Sequence, residues 1–286
     1  MPLYYSRRSF FLQSLISALA VAACKSTQKS SDPLAIGIID YDQDEEIIDR
    51  YNSFNDYLSS TLKAYIEIEP TFNERKALER IQRRAWSMVF APPGVAAIAI
   101  ADFQYLPLFP LQEDVTNLRS IFVVRDDSPI WQLKQLKGKT VALGQVGSTT
   151  GYYFPIYNLY GLNLSEVLLA PTPEIILEWV AQNKVTAGAL SSKEFNLYRS
   201  QFNQTEFRIL YTDSHTVPAS SILLAPTVEW TYQNQIIEAM SDAPFDIVRE
   251  AGYVPNAPVP NYEYMIAVVE RVRAIAPDLD ITQKIR

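Results

Sequence analysis

The run LKGKTVALGQVGSTTGYYFP, residues 136–155, changes character three times within twenty positions. Gly138 marks a turn, and Thr140 to Leu143 is an apolar run of strand length. Ser148, Thr149 and Thr150 follow as consecutive hydroxyls before a glycine, and then a helix begins. Pro155 is tolerated only within or just after a first helical turn, so that helix starts near Gly151. Free backbone N–H groups and the positive dipole end therefore point into the hydroxyl-rich loop. One of the three hydroxyls suffices as an ordinary N-cap. Three in succession exceed that need, and the other reading is an oxyanion site built from backbone amides and hydroxyls without a basic side chain.

Outward from this run, strand-length apolar segments alternate with amphipathic stretches. Strands are expected at 34–39, 65–68, 86–90 and 105–109, with helices at 47–62, 73–84 and from Pro92-Pro93 to Ala101. A second series has strands at 118–124, 140–143, 167–169, 185–190 and 207–211, with helices at 151–159 and 174–182. The segment 220–224 is again strand-like, and helices at 228–240, 245–250 and 262–275 close the chain. This α/β order predicts mostly parallel sheets flanked by helices. A chain of 286 residues exceeds one comfortable core, so two lobes are expected, with the site beyond the carboxyl ends of the strands.

The N-terminus reads as export. Arg7-Arg8 precede an apolar run from Leu15 to Ala23, which predicts a signal peptide over 1–23. Arg7-Arg8 followed by Phe10-Phe11-Leu12 resembles a twin-arginine signal, a plain basic leader being the alternative. Val21-Ala22-Ala23-Cys24 resembles the lipobox of bacterial lipoproteins, with Cys24 as the acylated residue. Cys24 is the only cysteine, so no intramolecular disulfide can form. Polar residues follow it, and 24–33 reads as a lipidated linker. The chain carries 25 basic and 32 acidic side chains for a net charge of −7, and Arg7 and Arg8 leave with the leader. A surface of that sign disfavours nucleic acid.

Several motifs fail on inspection. Gly138-Lys139-Thr140 lacks the first glycine of a P-loop, since position 133 is Leu133. Asp40, Asp42 and Asp44 lack the glycine and closing glutamate of a calcium loop, where Glu45 and Tyr51 stand instead. His215 is the only histidine, which excludes a histidine-rich metal centre, and no G-x-S-x-G element accompanies it. Neither a cofactor nor a metal is expected, and no catalytic residue is assigned.

The 136–155 run, with VTAGALSSKEF at 185–195 and AGYVPNAPVPNYEYM at 251–265, resembles the substrate-binding proteins of phosphate, phosphite and phosphonate ABC importers. That resemblance implies a type II periplasmic-binding fold, with residues 34–118 and 222–286 as lobe 1, 119–221 as lobe 2 and crossings near 118–124 and 220–225. It implies a monomer that captures a small oxyanion and delivers it to a membrane permease, touching the membrane through its lipid only. A ligand-sensing lipoprotein and, further off, an enzyme on the same fold are the alternatives. Carried over by position, Ser148, Thr149 and Thr150 hold the phosphorus oxygens, beside Gly151 and Tyr152. Tyr41 falls where the family often places a cleft aromatic, or is an ordinary strand-end tyrosine. Two positions depart from the family pattern: Val95 and Ala96 stand where a tyrosine is usual, and Thr186 where an aspartate is. Both imply a smaller, less charged pocket.

Replacing Cys24 by serine is expected to release the protein from membranes without changing its ligand affinity. Membrane fractionation of the mature-length variant checks this.

Overall fold

The computed structural model describes residues 33–39, 46–112, 118–215 and 217–276. The leader, Cys24 and Tyr41 lie outside the described residues. In chain order the elements are β1 (Leu34–Ile39), α1 (Glu46–Arg50), α2 (Asn52–Leu62), β2 (Ile66–Thr71), α3 (Glu74–Gln82), β3 (Met88–Ala91), α4 (Pro93–Phe103) and β4 (Leu106–Pro110). They continue with β5 (Ser120–Arg125), β6 (Thr140–Leu143), a π-turn (Thr149–Tyr153) running into α5 (Phe154–Asn158), β7 (Glu166–Leu169), α6 (Pro173–Ala181), β8 (Ala187–Ser191), α7 (Ser192–Tyr198) and β9 (Phe207–Thr212). The chain closes with β10 (Ser221–Leu224), α8 (Trp230–Ser241), α9 (Phe245–Ala251) and α10 (Glu263–Ile275).

Two five-stranded sheets result, ordered β2-β1-β3-β10-β4 and β7-β6-β8-β5-β9. In each, two neighbouring pairs are parallel and two are antiparallel. Four of the five strands in each sheet nevertheless share one direction, as the expectation of mostly parallel sheets requires, and a single reversed strand makes each sheet mixed. The reason is the path of the chain: it passes from the first sheet to the second after β4 and back after β9. The reversed strands are the two that directly follow these passages, β5 in the second sheet and β10 in the first.

Side-chain alternation along the central strands sorts the core into three parts, as a period of two requires. On β3, Val89 and Ala91 face one way and Met88 and Phe90 the other. On β5, Phe122 and Val124 oppose Ile121 and Val123. Val89, Ala91, Phe122, Val124, Val141 and Leu143 all enter one apolar cluster that also holds Tyr152, Tyr153, Met265 and Val269. The two sheets thus share a core, and each has a second core on its outer face, around Phe54 and Phe90 for the first and Ile176 and Leu177 for the second.

The last helix ties the shared core together. α10 packs on α4, on α5 and on the π-turn, so it touches elements that follow strands of both sheets. At its start the Tyr262 hydroxyl donates to the Ala219 carbonyl at 2.7 Å and meets Ser221 Oγ at 2.9 Å, beside the second crossing. Near its end Arg273 grips Asp102 through two nitrogens at 2.7 and 3.2 Å.

The sequence-derived elements recur within a few residues, with two exceptions. The helix expected over 47–62 is broken at Tyr51, and α7 was not anticipated. The signal for α7 was present: Ser191-x-x-Glu194 forms a reciprocal capping box.

Packing leaves no slack at Gly37 on β1, where an added Cβ would sit 2.2 Å from the Trp86 ring. Trp86 is fixed on its far side by its indole N–H, which donates to Glu69 at 3.0 Å. Gly37→Ala is therefore expected to destabilise the fold by about 1–3 kcal/mol. Urea unfolding monitored by circular dichroism measures the loss.

Candidate functional site

A cleft of about 370 Å³ lies between elements of the two sheets, at the carboxyl ends of β1, β3 and β8. From the first-sheet side it is lined by Ile39, Arg50, Tyr51, Glu74, Pro92 and Pro93. From the second-sheet side it is lined by Ser148, Thr149, Thr150, Ser191, Lys193, Glu194 and Tyr198.

The hydroxyl loop is shaped by one hydrogen bond. Ser148, in extended conformation, accepts from the Gly151 N–H at 3.1 Å and caps the π-turn. Its carbonyl accepts from both Tyr152 N–H and Tyr153 N–H at 3.1 Å. Capping uses a lone pair of Ser148 Oγ and leaves its O–H free to donate, so the two readings of this hydroxyl coexist. The Thr149 and Thr150 N–H groups open the turn, where the helical ladder offers them no acceptor. Thr149 is only 5% exposed, and its Oγ1 has no hydrogen-bond partner among the described residues. A buried hydroxyl without a partner is unfavourable by about 1–3 kcal/mol, which a ligand oxygen would relieve. The Thr150 carbonyl accepts from Ser120 Oγ at 2.6 Å, linking the loop to the first crossing strand.

Gly151 and Tyr152 have other duties. The Gly151 N–H is taken by Ser148, and its carbonyl accepts from Gly144 N–H at 2.8 Å. Tyr152 is buried in the shared core, ring edge against Tyr153 at 5.0 Å between centroids, and does not line the cleft.

The two departures resolve differently from what the sequence implied. Val95 and Ala96 are fully buried in the first turns of α4, and Val95 faces the Gly147 backbone. Thr186 precedes β8 at the end opposite Ser191, where its N–H donates to Thr140, and it does not line the cleft. Four charged side chains, Arg50, Lys193, Glu74 and Glu194, border the cleft. Sequence reasoning missed these four, together with Tyr51 and Tyr198. Asn73 before Glu74 is a readable helix start, and Asn73 indeed caps α3 by accepting from Lys76 N–H at 3.0 Å.

The two sides of the cleft touch through glycine. A Cβ on Gly94 in α4 would fall 2.0 Å from the Gly147 carbonyl oxygen, and one on Gly147 would fall 2.6 Å from Glu74 Cβ. Gly147 also has φ of +109°, a conformation that favours glycine.

With the cleft defined, the family follows. Residues 36–251 match the model for the periplasmic substrate-binding protein of phosphonate ABC transporters. The chain belongs to that family. No curated protein sequence matches it. Among solved structures, XAC2383 of Xanthomonas citri bound to ATP is similar over 86% of this chain and 99% of its own, at 20% identity and a TM-score of 0.69. A binding protein component of a phosphonate ABC transporter from Pseudomonas aeruginosa aligns over 88% and 89%, at 11% identity and a TM-score of 0.66. PhnD1 of Prochlorococcus marinus in complex with methylphosphonate aligns over 84% and 97%, at 17% identity and a TM-score of 0.63. These likenesses establish the type II periplasmic-binding fold. The family is one of exported transport proteins, and among the described residues no helix is long and apolar enough to cross a membrane.

Burial raises the Glu194 carboxyl above its ordinary 4.5, and the hydrogen bonds from Ser191 only partly offset this. The folded chain then holds a proton where the unfolded chain has lost it. The stabilising contribution is complete below pH 4.5 and is lost as pH rises through the raised value. Glutamine preserves the capping box and does not titrate. Glu194→Gln is therefore expected to gain stability relative to the parent as pH rises above 4.5. Melting temperatures from pH 4 to about 8 check this, and parallel curves would contradict it.

Proposed function

We propose that the protein captures a small phosphorus oxyanion in this cleft and delivers it to the membrane permease of an ABC importer. Residues 34–118 and 222–286 form one lobe in this reading and 119–221 the other, with the ligand held where they meet. The carrying observation is Thr149, which lines a cleft between two sheets at the first N–H groups of the π-turn and has a buried hydroxyl without a partner among the described residues. An oxyanion accepts from those N–H groups and from the hydroxyls of Ser148, Thr149 and Thr150. The ligands of two similar structures, methylphosphonate and ATP, both present phosphorus oxygens, which supports the reading. A volume of about 370 Å³ is at the lower end for ligand pockets, which favours a small solute.

Export by the leader and tethering through Cys24 complete the proposal. The mature protein works as a monomer at the membrane surface, lipid-anchored, with closure of the lobes as the state that the permease recognises. Binding and release need no bond to be made or broken.

Replacing Ser148, Thr149 and Thr150 together by alanine is expected to weaken methylphosphonate binding about 10²- to 10⁴-fold, since two charge-assisted hydrogen bonds of roughly 1.5–3 kcal/mol each are lost. Loss of the Ser148 cap lowers stability by only about 1 kcal/mol, so the fold survives. Calorimetry reads the affinity and circular dichroism the fold. A folded triple variant that binds like the parent moves the site elsewhere.

A further inference from the structure

Asn73 stands immediately before α3, on the first-sheet side, and is fully buried. Its Oδ1 accepts from Lys76 N–H at 3.0 Å, which is the capping bond of α3. The same amide donates through Nδ2 to the Pro171 carbonyl at 3.2 Å. Pro171 lies between β7 and α6, on the second-sheet side. Neither residue belongs to the stretches that pass between the sheets, 111–119 and 213–220, so this bond joins the two sides independently of the crossings. The neighbours fix the orientation of the amide: Lys76 N–H needs an acceptor and the Pro171 carbonyl needs a donor.

The Pro171 carbonyl is held firmly, because both adjoining residues are pinned. Ala170 N–H donates to the Leu143 carbonyl at 2.8 Å, and the Ala170 carbonyl accepts from Gln145 Nε2 at 2.8 Å. Thr172 Oγ1 caps α6 by accepting from Ile175 N–H at 3.4 Å. The seam around the bond is tight. A Cβ on Gly147 would fall 2.6 Å from Glu74 Cβ, and the space that Glu74, Ser148 and Pro171 border is about 10 Å³, room for one water-sized group.

Capping alone does not call for asparagine here. Asn, Asp and Ser cap about equally well, since a cap needs only an acceptor. Asparagine adds an NH₂ donor at the tip of the same group, which aspartate lacks and serine is too short to supply. That donor is spent on the opposite side of the cleft, and its bond breaks when the two sides part.

We infer that Asn73 is a positioning residue for binding: its amide latches the first-sheet side to the Pro171 carbonyl and thereby sets how fast the cleft opens to release its ligand. This rests on the proposed capture in the cleft but not on which oxyanion is captured. Asn73 does not line the cleft, so the latch acts through closure and treats every ligand alike. One neutral hydrogen bond corresponds to a factor of about 2 to 10 in an equilibrium constant. The bond must break before release, so the factor falls on koff.

Two variants of the full chain separate latch from cap. Asn73→Ser keeps an acceptor for Lys76 N–H and removes the donor, and Asn73→Asp keeps the cap while setting a carboxylate against the Pro171 carbonyl. Stopped-flow dissociation of methylphosphonate is expected to be about 2- to 10-fold faster for Asn73→Ser and faster still for Asn73→Asp, with the urea midpoint of Asn73→Ser at the parent value. Hydrogen–deuterium exchange without ligand is expected to speed up by the same factor at 144–148 and to stay unchanged around Phe54 and Ile176. Unchanged koff overturns the latch. Faster release accompanied by a lowered urea midpoint in Asn73→Ser assigns the residue to capping and overturns it too. If the parent does not bind methylphosphonate, exchange decides: faster exchange at 144–148 leaves the latch standing while that ligand falls, and unchanged exchange overturns both.

Discussion

The hydrogen bond from Gly151 N–H to Ser148 Oγ is the point on which the cleft depends. By holding Ser148 extended, it turns the chain from the end of β6 into a wide first turn. That turn buries Tyr152 and Tyr153 in the core shared by the sheets and leaves the threonines at the cleft. The same loop is joined to β5 through the bond from Ser120 Oγ to Thr150 O. Hydroxyl loop, shared core and crossing strand are thus connected within residues 148–153.

In the proposed reading an acidic chain binds an anion here because the attraction is local. Hydrogen-bond donors fixed on helix ends act at short range in a half-dry cleft, whereas the surface charge is screened over roughly 10 Å. Lys193 and Arg50 add positive charge at the border, and Glu74 and Glu194 subtract it. The balance inside the cleft is set by four side chains and two helix ends, independently of the net charge of −7.

Much of the fold could be read from local pattern. Thr140–Leu143 has the observed bounds of β6, and the hydroxyl cluster marks the cleft before any tertiary contact is considered. What local pattern could not supply was direction and register. Nothing within Ser120–Arg125 or Ser221–Leu224 reveals that these strands run against their neighbours, because that follows from the long path between sheets. Thr186 looked like a pocket residue until the pairing of Val141 with Ala187 placed it at the far end of β8. Glu74 reads as an ordinary helix-start acid; its burial comes from the approach of Gly147, about seventy residues away in sequence. Tyr41 and Cys24 lie outside the described residues, and their roles rest on sequence alone.

The meeting of Gly94 with Gly147 acts as a mechanical stop between the two sides of the cleft. Backbone there faces backbone, with no side chain to rotate away or compress, so the two sides cannot approach further. In the proposed reading, ligand size is therefore gauged by main-chain geometry, which substitutions along the cleft walls change little. Donors and acceptors on those walls are free to diversify while the spacing stays constant. A scaffold of this kind can change which ion it prefers without changing how far it shuts.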